Sequence, residues 1–272
     1  MWFLDYAHIC AGPEPLTSRA ERMEVSPLAV LAHEGTYPIM YGKWPIPVGA
    51  RHRDGYIARP DEAGRFPVVF VVPGLEGLGS LEKDLCRRLA REGFAALSVD
   101  IYGRQGDPLD LYLAMTDDSA LRVLDELHQF LVSEDVTWNA GDRVGILATD
   151  VGGRFGLIKA ATRNWVRALA ICYTPLTGDE DREHQVAEYL DHLPIPVLGL
   201  YGSADELIDN STVDEGQRRN DHGQWLLYDG VGHGFLDLDG DGYDEAAADD
   251  AFARLLAFFK ASLPQADVEE LG

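Results

Sequence analysis

The chain has 272 residues, of which 46% are apolar, enough for one large hydrophobic core or at most two modest ones. A formal charge of −23 sets a repulsive field against phosphate backbones and anionic membranes, and no basic patch interrupts it, so neither nucleic acid nor a membrane is expected as a partner. No apolar run reaches the length of a bilayer span, the opening Met1-Trp-Phe-Leu-Asp-Tyr lacks a secretory pattern, and the widely spaced Cys10, Cys86 and Cys172 suggest neither a disulfide framework nor a zinc site. The expectation is a soluble, cytoplasmic protein.

The first fifty or so residues carry Pro38, Pro45, Pro47 and several glycines, with short runs such as Gly55-Tyr-Ile-Ala58. They read as an antiparallel leading edge, residues 1–66, of a sheet. From Val68 onward short apolar runs alternate with helix-period segments, the pattern of a mostly parallel sheet covered by helices, an α/β fold of one domain with no large cap. Pro67-Val-Val-Phe-Val-Val72 predicts a buried strand, and Ser80 to Glu92 a helix with Leu81, Leu85 and Leu89 on one face. A strand follows over Phe94 to Val99, then a capped helix over Thr116 to Val132 and a strand over Val144 to Ala148. The alternation continues with a helix from Val151 to about Ala161, a strand Ala168 to Tyr173, a helix around Gln185 to Leu193 and a strand Val197 to Tyr201. It closes with a helix near Val213, a strand Trp225 to Tyr228 and an amphipathic helix from about Ala246 to Ser262. Gly103 to Leu113 and Thr174 to Glu183 read as irregular connections at the carboxyl ends of strands, where open α/β sheets bind ligands. Residues 265–272 read as a flexible polar tail.

Val144-Gly-Ile-Leu-Ala-Thr-Asp-Val-Gly-Gly153 is a strand running into a glycine-bearing turn and then a helix. This is the context of a nucleophile elbow, in which small residues at −2 and +2, here Ala148 and Gly152, let strand and helix approach. The side chain so displayed is Asp150. A plain N-cap for the following helix is the competing reading. The N–H of Val151 stands where a donor for a developing oxyanion is needed. Farther on, Gly202-Ser-Ala-Asp205 ends a late strand, and Gly232-His-Gly234 follows the last one. Asp205 and His233 thus complete the order nucleophile, acid, histidine of the α/β-hydrolase fold.

Val69-Phe-Val-Val-Pro-Gly-Leu-Glu-Gly-Leu78, Val99-Asp-Ile-Tyr-Gly-Arg-Gln105, Asp150-Val-Gly-Gly153, Pro196-Val-Leu-Gly-Leu-Tyr-Gly202 and Gly232-His-Gly-Phe235 together resemble the dienelactone hydrolase family. The resemblance runs from about Val68 to the last helix. It implies an α/β-hydrolase fold, a small-molecule substrate and no cofactor. It further implies oxyanion-hole N–H groups from Leu75 and Val151, and substrate contacts from Arg104, a match to a family arginine that binds carboxylates, and from Glu76 beside the oxyanion turn. A surface role for Arg104, paired with Asp100 or Asp107, remains open beside that.

Two departures accompany the resemblance. The family carries Cys or Ser at the elbow and a Glu directly after the first parallel strand, whereas this chain has Asp150 and Gly74, with Glu76 two residues on. A carboxylate attacking an ester forms a high-energy anhydride, but it displaces a leaving group from an sp3 carbon readily. The leading expectation is therefore an Asp-Asp-His hydrolase acting through an alkyl ester of Asp150 on an epoxide or alkyl halide. One alternative keeps ester or lactone hydrolysis, with Asp150 as a base or electrostatic group. Another is a non-hydrolytic or degenerate member that binds a small molecule. The acidic run Asp237-Leu-Asp-Gly-Asp-Gly-Tyr-Asp-Glu245 resembles the start of a calcium loop, but position 12 falls on Ala248, so no metal is assigned. Trp44, Trp138, Trp165 and Trp225 are expected in the core, and the oligomeric state is left open.

Overall fold

The alternation of apolar runs with helix-period segments folds as a sheet of parallel strands with an antiparallel hairpin at one edge. The computed structural model describes residues 35–48, 51–103, 105–177, 185–264 and 267–268. The hairpin is β1 (Ile39–Val48) and β2 (Arg51–Pro60), antiparallel with Ile39 opposite Pro60. The sheet continues with β3 (Gly64–Val72), β4 (Ala95–Val99), β5 (Asn139–Thr149), β6 (Val166–Cys172), β7 (Val197–Gly202) and β8 (Gln224–Tyr228), in the spatial order β1-β2-β4-β3-β5-β6-β7-β8. From β4 to β8 every neighbouring pair is parallel. The leading edge is thus antiparallel over residues 39–60, while residues 1–34 lie outside the described residues.

Strand β3 from Phe66 onward and all of β4 are buried, and almost wholly apolar, because both faces are covered. One face packs against α3 (Asp117–Leu131) and α4 (Gly152–Thr162), burying Leu124, Leu127 and Phe155 with Val68, Phe70 and Ile146. The other packs against α1 (Ser80–Arg91) and α6 (Glu245–Ser262), burying Leu85, Leu89, Leu255 and Phe259 with Val69, Val71 and Leu147. Helix α5 (Ser211–Arg219) precedes β8.

Three expectations need correction. The connection predicted as irregular over Gly103 to Leu113 contains a helix, α2 (Pro108–Ala114), in which Pro108 stands in the first turn and the Asp107 carboxylate accepts from Asp110 N–H, a start signal the turn-rich composition conceals. The helix expected around Gln185 to Leu193 is present as a 3-10 helix, Val186–His192. In the tail, Asp267–Val268 pairs antiparallel with Gly64 and Arg65 at the start of β3, so this part is tied to the sheet rather than free. Trp44 is 53% exposed because it stands on the edge strand β1, whereas Trp165 lies edge-on to Phe70 and stacks on His128, Trp225 stacks near Tyr201, and Trp138 packs against the core. No helix among the described residues is long and apolar enough to cross a membrane.

Candidate active site

The carboxyl ends of the parallel strands bring the candidate residues to one edge of the sheet. Asp150 ends β5 at the turn into α4 and has φ +49°, a left-handed conformation that costs a non-glycine residue free energy and throws its side chain off the end of the strand. The turn is fixed by Asp150 N–H donating to Cys172 O at 3.0 Å and Gly153 N–H donating to Asp150 O at 3.1 Å. Gly152 is obligatory: a Cβ there would lie 2.2 Å from the Pro73 carbonyl oxygen at the end of β3. The close approach predicted for this elbow is therefore a contact between α4 and the β3 exit.

The Asp150 carboxylate does not serve as the cap of α4, whose N-cap residue is Val151 without a side-chain cap. Instead its Oδ2 accepts from the N–H of Leu75 at 2.9 Å, a buried bond across the β3–β5 boundary. Its Oδ1 faces Nε2 of His233 at 3.7 Å, close but beyond hydrogen-bonding distance. His233 Nδ1 lies 2.8 Å from Oδ2 of Asp205. The other oxygen of Asp205, Oδ1, accepts from the N–H groups of Leu207 and Ile208 at 2.8 and 3.0 Å, which leaves the side chain only 1% exposed and fixed in direction. Asp150, Asp205 and His233 are thus brought together in the order and at the strand ends expected from the sequence. Burial by itself lowers the His233 pKa, but the hydrogen bond to Asp205 and the negative field of Asp150 and Asp205 outweigh it and raise the value above the usual histidine range.

Of the two N–H groups expected as oxyanion donors, Leu75 is in contact with the carboxylate, and Val151 stands directly after it at the head of α4. Gly74, one of the two departures seen in the sequence, stands immediately before Leu75 and against Asp150. A Cβ at Gly74 would lie 2.8 Å from Asp150 Cβ and 3.0 Å from Asp150 Oδ2. A side chain at 74 would therefore press on residue 150, first on its Cβ and then on the carboxylate oxygen that accepts from Leu75. Glu76 is exposed and stands apart from the triad, on the wall of a cavity of about 330 Å³ that also meets Leu75, Lys83, Tyr102 and Gln105. Arg104 lies outside the described residues, as do residues 178–184 of the second predicted loop. Among the described residues no cluster of acidic, histidine or cysteine side chains is arranged to hold a metal ion.

Two tyrosines of the site were not assigned from the sequence. Tyr173, at the end of β6, also has a left-handed backbone, φ +40°, and its ring meets the His233 imidazole edge-to-face at 5.0 Å. Its hydroxyl is buried and makes no hydrogen bond among the described residues. Tyr102 lies after β4, and its hydroxyl donates to Gly74 O at 3.2 Å. Neither contact has a spacing or composition signal, because each joins segments remote in sequence. One turn beyond Asp150, Arg154 grips Asp117 at the start of α3 with two bonds of 2.7 and 2.6 Å, both side chains at most 3% exposed, which ties the first turn of α4 to its neighbour.

The model of the dienelactone hydrolase family matches residues 53–263. A relative from Escherichia coli O157:H7 named "Putative carboxymethylenebutenolidase" is 32% identical over 241 residues, covering 82% of this chain and 87% of its own length. A solved structure described as a "Putative Dienelactone Hydrolase" from Klebsiella pneumoniae superposes with a TM-score of 0.74 at 30% identity, covering 82% of this chain and 98% of its own. A dienelactone hydrolase from Anabaena variabilis, 16% identical, shares the fold with a TM-score of 0.66 over 83% of this chain and 99% of its own.

Proposed function

Since the chain belongs to the dienelactone hydrolase family and is a hydrolase of that α/β-hydrolase fold, we propose that it works through a covalent ester of Asp150 formed on an sp3 carbon of an epoxide or alkyl halide. The observation that carries this reading is the division of labour between the two carboxylate oxygens. Oδ2 is held by Leu75 N–H at 2.9 Å, and Oδ1 is turned toward His233 at 3.7 Å. A carboxylate held in this way presents one oxygen for attack while the other already occupies the site of a future oxyanion.

In the first step Oδ1 bonds to the electrophilic carbon as the carbon–halogen or carbon–oxygen bond breaks. The halide departs, or the epoxide oxygen takes up a proton from water. In the second step His233 Nε2 takes a proton from water, and the hydroxide adds to Asp150 Cγ. Negative charge then gathers on Oδ2, where the N–H groups of Leu75 and Val151 stabilise it. Collapse breaks the Cγ–Oδ1 bond, and the alcohol leaves with Oδ1 after regaining the proton from His233. Asp205 supports the imidazolium formed in between. Arg104 and Glu76 serve in this reading as contacts for the rest of the substrate.

The test is a single turnover in water enriched in oxygen-18, together with a His233→Gln variant that blocks the second step. The variant should accumulate an Asp150 peptide heavier by the alkyl group, and the parent should acquire heavy oxygen in Asp150 while the alcohol carries the light atom. A second reading is favoured by the relatives named for butenolide hydrolysis: Asp150 acts as a base on water attacking a lactone. Heavy oxygen would then appear in the product carboxylate and never in Asp150, and no adduct would form on any member of a panel of epoxides and haloalkanes.

A further inference from the structure

The N–H of Leu75 and the C=O of Gly74 belong to one planar peptide unit, so whatever fixes the carbonyl also aims the N–H. That carbonyl accepts two bonds. The Gly77 N–H reaches it at 3.2 Å from within the same turn, and the Tyr102 hydroxyl reaches it at 3.2 Å from the loop after β4. On the opposite side of the plane, Leu75 N–H points at Asp150 Oδ2 at 2.9 Å.

Tyr102 is itself rigidly held. The Asp100 carboxylate accepts from the N–H groups of Tyr102 and Gly103, both at 3.0 Å. Asp100 N–H donates to Asp54 O at 2.8 Å, joining this turn to β2. The Arg53 guanidinium donates to the carbonyls of Asp100 and Ile101 at 3.2 and 2.8 Å. The Tyr102 side chain, 8% exposed, is therefore a short arm on a braced turn, and its hydroxyl has a fixed address.

We infer that Tyr102 is a positioning residue, whose hydroxyl holds the Gly74–Leu75 peptide so that its N–H meets charge developing on the carboxylate of Asp150. The inference rests on the reading of Leu75 as an oxyanion donor. Donation to Gly74 O also polarises the peptide, which strengthens its N–H as a donor on the other side. The hydroxyl acts on the peptide that faces Oδ2, so its effect is expected where charge gathers on that oxygen, in kcat rather than in KM.

The variant Tyr102→Phe keeps the ring, which stands beside Gly77 where an added Cβ would meet it at 3.4 Å, and removes only the hydroxyl. Two readouts are needed: the amide proton shift of Leu75 in the full-length protein, and steady-state hydrolysis of styrene oxide. The Leu75 resonance should move upfield, as its bond to Asp150 lengthens. kcat should fall about tenfold with KM unchanged, the loss of one well-placed hydrogen bond in the transition state. An unmoved Leu75 resonance overturns the inference, as does a kcat equal to that of the parent, or a fall confined to KM. Failure of the covalent reading is seen separately, as absence of heavy oxygen in parental Asp150. In that event the Leu75 shift alone decides whether Tyr102 positions the peptide.

Discussion

At the scale of single residues, the site is organised around the close approach of Asp150 to Gly74. Asp150 projects from a left-handed backbone and lays its carboxylate over Gly74, with Oδ2 on Leu75 N–H. Adding one methyl group at Gly74 puts a carbon 2.8 Å from Asp150 Cβ, within the elbow's most constrained turn, so the carboxylate must leave the Leu75 N–H. Gly74→Ala is therefore expected to lower hydrolysis about 100-fold or more, a larger loss than that of a single hydrogen bond, with thermal unfolding shifted by only a few degrees. Parental turnover in that variant would show that the Leu75 contact is dispensable. Tyr173 is a different kind of residue: it accepts a strained backbone and a buried hydroxyl with no hydrogen-bond partner among the described residues, while its ring backs the imidazole of His233.

At the scale of elements, the loop that carries the oxyanion donor is clamped at its far end by helix α1. The side chain of Glu82 turns back to accept from Gly79 N–H at 2.7 Å, the reciprocal bond of a capping box, yet it is only 4% exposed. Burial pushes its carboxyl up from 4.5 to about 7, with the hydrogen bonds from the Gly79 and Glu82 amides opposing the shift and the charge of Asp237 adding to it. The folded chain thus holds this proton more tightly than the unfolded one. The associated stability is complete below pH 4.5 and is lost as the pH rises through about 7. The stability difference between the parent and Glu82→Gln should accordingly fall by about 3 kcal/mol between those limits and be flat outside them. Denaturant titrations at several pH values measure it, and a flat difference across that window would refute the assignment. Helix α4 is secured separately: its Arg154 forms a buried two-bond pair with Asp117 at the start of α3.

At the scale of the molecule, 46 acidic side chains face 23 basic ones, and the resulting charge of −23 makes self-repulsion act on the whole folded chain. Raising sodium chloride from about 10 mM to about 300 mM shortens the screening length severalfold and should raise the unfolding temperature by a few degrees. A lowered or unchanged temperature would mean that local ion pairs, such as Arg163 with Asp125, dominate instead. Much of this architecture was legible in the sequence. Strand and helix periods located β3 to β8, and Asp150, Asp205 and His233 stand at the strand ends their order implied. The rest was hidden because it depends on contacts between distant segments. The bond between Leu75 and Asp150 spans 75 residues, and that between Tyr102 and Gly74 spans 28, distances over which neither propensity nor spacing carries information. The helix α2 was concealed by its turn-rich composition, and Trp44 was misjudged because hydrophobicity does not distinguish an edge strand from an inner one. The close approach at Gly74 also limits how the elbow can be redesigned. The nearest atom that a Cβ at 74 would meet is the Cβ of residue 150, at 2.8 Å, an atom that a thiol or hydroxyl side chain would share, so exchanging the nucleophile on this backbone makes no room at 74 and has to keep the glycine or move the turn.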